Sequence, residues 1–206
     1  MKNEIRFESI ESELTRNAIN ASIYKRNYRD AWKDIICSHG PYICLLTLQF
    51  QRSYPDSVTI PAANQFFYNL NRQIFGRRWF RKGWGFTGIV IAEQNKSHAA
   101  TAGDLHFHCL LNQNKYLANI NRDYNLYPLR DEAWLSARKL KDNQNRCMCS
   151  EKSGVDIRII HDVSGITNYL TKEIDDYVSE RGDQIYFLNY QGMTAGCLDQ
   201  WRKRTC

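Results

Sequence analysis

Gly103-Asp104-Leu105-His106-Phe107-His108-Cys109-Leu110-Leu111 places two histidines on either side of one large apolar residue, inside a strand-like run. Successive side chains of a strand point to opposite faces, so His106 and His108 share one face while Phe107 enters a core on the other. Two imidazoles on one face can grip one ion. The competing use of the same pattern is a half-buried strand carrying two hydrogen-bonded histidines. The whole chain holds only five histidines.

A second element lies downstream, Gly165-Ile166-Thr167-Asn168-Tyr169-Leu170-Thr171-Lys172-Glu173-Ile174, and reads as the opening of a helix. Tyr169 and Lys172 are three apart, which sets a phenol and an ammonium on one helical face. The structural alternative for Tyr169 is a core tyrosine. Tyr177, two turns further on, has no lysine at the same offset and is the weaker nucleophile candidate. Upstream, Tyr42-Ile43-Cys44-Leu45-Leu46-Thr47-Leu48-Gln49-Phe50 is an apolar strand. In this order, apolar strand, His-apolar-His strand, Tyr-x-x-Lys helix, the chain resembles the HUH endonucleases, in particular single-tyrosine rolling-circle replication initiators. The resemblance spans about residues 42 to 190.

That resemblance implies an α+β fold, a ferredoxin-like or RNA-recognition-like palm with a largely antiparallel five-stranded sheet and helices packed on it. It implies a divalent metal, Mg²⁺ or Mn²⁺, on His106, His108 and a third ligand with an acidic or amide side chain. Glu93 is preferred for that place over Gln94 and Asp104. Tyr169 would attack a scissile phosphate in line, leaving the DNA 5′ end on the tyrosine and a free 3′ hydroxyl. A phenol with an ordinary pKa of about 10 is a poor nucleophile near neutrality, and Lys172 would favour the phenolate or position the phosphate. The implied partner is single-stranded or hairpin DNA at a replication origin. No Gly-x-x-x-x-Gly-Lys-Ser/Thr loop is present, so a host helicase and a polymerase are expected as further partners.

Composition agrees with a folded partner of a polyanion. The 206 residues carry a formal net charge of +6 and enough apolar and aromatic side chains for a real core, which excludes a disordered or fibrous chain. Arg77-Arg78-Trp79-Phe80-Arg81-Lys82 interleaves cations with aromatics, the chemistry for holding phosphates while stacking on unpaired bases; Arg77, Arg78, Trp79, Arg81 and Lys82 are the candidate contacts. Trp201-Arg202-Lys203-Arg204 reads as a solvated basic tail.

The expected organisation is an N-terminal helical extension over 1–40, with Ile10, Leu14, Ile19, Ile23 and Trp32 on its apolar stripe, a nicking domain over 41–192 and a basic tail over 193–206. Within the middle segment the pattern predicts a helix from Pro61 to Ile74, strands over 85–93 and 104–112, and a polar stretch over 113–128. A helix over 129–140 with Trp134 inward, an exposed loop over 141–154, a strand over 155–160, a helix capped by Ser164 and a last strand over 184–188 follow.

The seven cysteines are odd in number and two sit in apolar strands, so reduced thiols in a cytoplasmic protein are expected; Cys147-Met148-Cys149 is half of a zinc pattern with no second pair. No apolar run is long enough to span a bilayer, so no membrane partner is expected. Two other nuclease roles share the chemistry, transposition and conjugative mobilisation. Two other classes do not: a non-catalytic single-stranded nucleic-acid-binding module, and a zinc-stabilised interaction protein.

Overall fold

Strand β3 (Leu105–Asn112) lies between β1 (Tyr42–Gln49) and β2 (Gly88–Gln94), antiparallel to both. The computed structural model describes residues 26–94, 105–122, 126–150, 154–172, 185–189 and 192–195. In these, β4 (Val155–Ile159), β5 (Ile185–Asn189) and β6 (Gly192–Ala195) complete one six-stranded sheet in the order β4-β1-β3-β2-β5-β6, with every pairing antiparallel. The protein is therefore α+β, with a six-stranded sheet where five strands were expected. The extra strand, β6, is four residues of Gly-Met-Thr-Ala and has little β character of its own. It is held by the ladder to β5 and by Asn64, whose side-chain carbonyl accepts from the Met193 amide at 2.7 Å.

Alternation along the strands sorts two cores. Cys44, Leu46 and Leu48 of β1, Val90 and Ala92 of β2, and Phe107, Cys109 and Leu111 of β3 face helices α2 (Asp56–Phe75) and α4 (Tyr127–Arg138). Leu45, Ile89, Ile91 and Leu110 face the other way. There they pack with Trp32, Ile35 and Ile36 of the helical segment 26–39, called α1, and with Leu170 of α5 (Val163–Thr171). The segment 26–39 thus closes one face of the sheet, while Ile10, Leu14, Ile19 and Ile23 lie outside the described residues. The tail residues from 196 onward, with Trp201 to Arg204, lie outside them as well.

Several boundaries differ from the sequence pattern for identifiable reasons. Helix α2 starts at Asp56 rather than Pro61, because Val58 and Thr59 already donate to the Pro55 carbonyl and Thr59 is fully buried. Inside the polar stretch stands a short helix, α3 (Lys115–Arg122), started by the Asn114 side chain, which accepts from the Leu117 amide at 2.8 Å and leaves Leu117 buried. Segment 141–154 is not wholly exposed: Lys141 bridges to Cys147, Phe50 to Cys149, and Met148 and Cys149 are in the core. Trp134 is half-buried, with the Arg138 guanidinium 4.5 Å above its ring. Asp162, not Ser164, occupies the N-cap position of α5.

At Gly88, the entry of β2, φ is +154° and an added Cβ would lie 1.9 Å from the Leu110 carbonyl oxygen. The close approach of β2 to β3 at this point requires glycine. Gly88→Ala is expected to lower stability by about 1–3 kcal/mol, read as a lower urea midpoint with an unchanged slope; an unchanged midpoint would refute the close packing of these two strands.

Candidate functional site

Register brings the site together. Glu93 on β2 stands directly opposite His106 on β3, and Thr47 on β1 opposite His108, all on the face covered by α1 and α5. The connection between Glu93 and His106 along the chain is long, yet the antiparallel ladder makes them neighbours. Glu93 Oε2 lies 3.0 Å from His108 Nε2 and 3.6 Å from His106 Nε2, and the two imidazole rings meet edge to face at 4.9 Å. The three ligand-type atoms all lie within 4.8 Å of one another, and no other group of three or more His, Cys, Asp or Glu among the described residues is so arranged.

Each side chain is held. The Thr47 hydroxyl is 3.0 Å from His108 Nδ1, which fixes the ring and leaves Nε2 for the centre of the cluster. His108 is buried, and its Nε2, though near Glu93, has no hydrogen bond of proper geometry. Burial alone would raise the Glu93 carboxyl, but the two imidazoles in reach of its oxygen outweigh that and hold it well below the usual carboxylate range. An ionised carboxylate and two ring nitrogens converging on one place are a donor set that could hold a cation.

Above the cluster stands α5. The Tyr169 ring centroid is 6.1 Å from that of His108, Tyr169 is 47% exposed, and Lys172 Nζ lies 4.0 Å from the Tyr169 ring centroid. Lys172 is the first residue past the helix, and its carbonyl accepts from Arg29 of α1 at 3.1 Å. Thr167 and Thr171 turn their hydroxyls back onto the carbonyls of Val163 and Thr167, which satisfies them on the buried side of the helix. His106, His108, Glu93, Tyr169 and Lys172 therefore share one face and one end of the sheet. The side chain of Gln94 and all of Asp104 and Tyr177 lie outside the described residues.

The chain matches no family model, no curated protein and no solved structure.

The basic aromatic segment is elsewhere. A 3₁₀ turn, Trp79–Lys82, follows α2 and precedes the Gly88 end of β2, so it is separated from Glu93 by about 17 Å of strand at the usual rise. Arg77, Arg78, Arg81 and Lys82 are exposed, but Trp79 is only 4% exposed, which corrects its assignment as a free stacking surface. Phe80 and Trp84, each 49% exposed, are the solvent-facing rings, with Arg81 5.8 Å over Phe80 and Lys82 4.1 Å over Trp84. Among the described residues Cys147 and Cys149 join no group of three or more ligand-type side chains; Cys149 is buried, and burial, with Cys147 beside it, pushes its thiol up to about 12.

Two supporting residues carried no signal in the sequence. Thr47 is one polar residue in an apolar strand, and only the β1–β3 register shows that it meets His108; Arg29 lies in a helix far from α5 along the chain. Titration with Mn²⁺ followed by electron paramagnetic resonance is expected to show one bound ion, lost in His106→Ala or His108→Ala. Thr47→Val is expected to weaken it by about 10–100-fold through the freed imidazole. Unchanged affinity in Thr47→Val would refute the orienting contact.

Proposed function

We propose that the chain is an HUH-type endonuclease and strand transferase that nicks single-stranded DNA through a covalent 5′-phosphotyrosine, and that it initiates rolling-circle replication of a plasmid or phage-like element. The observation that carries the reading is the cluster of Glu93, His106 and His108 with the half-exposed Tyr169 ring 6.1 Å from His108 on the same face of the sheet. The path β1-α2-β2-β3-α4-β4 with strand order 4-1-3-2 also supports a ferredoxin-like palm, extended here by β5 and β6.

In this reading His106, His108 and Glu93 hold a divalent ion; a set of two imidazoles and one carboxylate suits Mn²⁺ better than Mg²⁺, which prefers oxygen ligands. When bound, the ion polarises the scissile phosphate and offsets charge on its non-bridging oxygens. Tyr169 Oη forms the new bond to phosphorus as the bond to the 3′ oxygen breaks, and the phenolic proton is lost to solvent while the leaving oxygen gains one. Lys172, beside the Tyr169 ring, supplies a fixed positive charge next to the developing dianion. The phosphotyrosine keeps the energy of the broken bond, so a later 3′ hydroxyl can reverse the step without a nucleotide cofactor. The exposed cations Arg77, Arg78, Arg81 and Lys82 hold the strand away from the reacting phosphate. Transposition and mobilisation would use the same chemistry on other DNA.

The protein, incubated with labelled single-stranded origin DNA and Mn²⁺, is expected to give a covalent adduct on a denaturing gel. Tyr169→Phe and chelation should each abolish it, and Lys172→Ala should slow it by about tenfold or more. An adduct that persists in Tyr169→Phe would move the nucleophile elsewhere, with Tyr177 next; tight binding without any adduct would favour a non-catalytic single-strand-binding module.

A further inference from the structure

On the face of the sheet opposite the His-Glu cluster, α2, the Trp79 turn and β6 enclose a cleft of about 500 Å³. Its walls include Phe67, Tyr68, Trp79 and Met193 together with the amides of Asn64 and Asn71. Tyr68 is 45% exposed and meets the buried Trp79 edge to face at 6.1 Å, so an aromatic platform is already braced from behind. Asn71 is 1% exposed. Its Oδ1 is committed to the Phe86 amide at 2.9 Å, and Asn64 Oδ1 is likewise committed to Met193. These bonds fix which way both amides are turned; the Asn64 NH₂ also donates to the Ile60 carbonyl at 3.5 Å, and the remaining amide hydrogens are the donors for whatever enters.

The stretch of chain that supplies most of the cleft wall is rich in cations. Residues 57–92, which build α2 after Asp56, the turn and most of β2, contain no Asp or Glu and five cations, Arg72, Arg77, Arg78, Arg81 and Lys82, and Gln73 of α2 meets Glu132 of α4. An occupant with an aromatic plane, acceptor atoms on its edge and an anionic chain attached meets all three properties: platform, donors and cationic rim.

We propose that this cleft is a pocket for one unpaired base of single-stranded DNA, stacked on Tyr68 and read by the Asn64 and Asn71 amides, with its flanking phosphates on Arg77, Arg78 and Arg81. The proposal deepens the reading of the chain as a protein of single-stranded DNA and assigns a holding site distinct from the reacting one.

The test is fluorescence anisotropy of the full chain with a fluorescein-labelled single-stranded oligonucleotide, in chelator so that no nicking contributes. Tyr68→Ala is expected to weaken binding by about tenfold, the worth of one base stacked on one ring, and Tyr68→Trp to restore it. The paired change Arg77→Ala with Arg78→Ala is expected to weaken binding and to flatten its salt dependence. All three side chains are exposed, so the fold is not at risk, and circular dichroism checks it. The same oligonucleotide carrying 4-thiothymidine is expected to photocrosslink to the peptides holding Tyr68 and Met193.

Wild-type affinity in Tyr68→Ala, or crosslinks that fall only near Tyr169, would overturn the pocket even if the phosphotyrosine adduct forms. Tyr68-dependent binding and cleft crosslinks in a protein that forms no adduct would uphold the pocket and overturn the nuclease reading.

Discussion

Everything at the candidate site hangs on the seating of β3 between β1 and β2. The side-chain period of a strand is two, so a slip of one residue would carry His106 and His108 to the other face and expose Phe107, Cys109 and Leu111. Those three side chains are fully buried against α2 and α4. The apolar core on one face therefore fixes the polar geometry on the other: Glu93 opposite His106, Thr47 opposite His108. A fully buried aromatic side chain such as Phe107 contributes about 3–5 kcal/mol against truncation, far more than any single contact within the cluster.

The cluster sets a desolvation cost against its own pairing. A carboxylate and two imidazoles crowd a nearly closed space, and one ring nitrogen there has no hydrogen bond. Glu93 stays ionised because the imidazoles outweigh its desolvation. Such groups are tolerated where the surrounding packing over-determines them, and here two helices do so. Trp32, Ile35 and Ile36 of α1 and Leu170 of α5 fill the remainder of that face, and Arg29 of α1 ties down the last carbonyl beyond α5. Tyr169 is thus presented by a short helix fastened at its C-terminal end, with its ring left half in solvent.

What could be read from residues alone follows the same physics. Period-two alternation revealed β1 and β3 and the shared face of the histidines, and helical spacing put Tyr169 and Lys172 together. Glu93 was one of three candidates; the register sets it opposite His106, while the Gln94 side chain and Asp104 lie outside the described residues. Short elements whose stability is tertiary escaped notice: α3 rests on the Asn114 cap and buried Leu117, and β6 on a ladder and one side-chain hydrogen bond. Trp79 looked like a surface ring because it sits among arginines, yet Tyr68 packs on it and Gly85 leaves room beside it. Neighbours in sequence predicted its company; neighbours in space decided its burial.

The cluster and the basic turn stand well apart on the sheet. The cluster face carries the ionised Glu93 carboxylate beside two imidazoles, with Lys172 near Tyr169, whereas residues 57–92 carry five cations and no carboxylate. Length along β2 alone sets the two apart by about 17 Å, roughly twice the screening distance of about 8 Å at physiological ionic strength. A phosphate backbone held at the basic turn would therefore feel little of the charge at the cluster, and loading the cluster would change that hold little. Binding energy can accumulate at one place without depending on the protonation or occupancy of the other. Under the proposed nuclease reading, only a phosphate that reaches round to Tyr169 would sense both the cluster and Lys172, the condition for a strand to be held before and after the bond at that phosphate is broken.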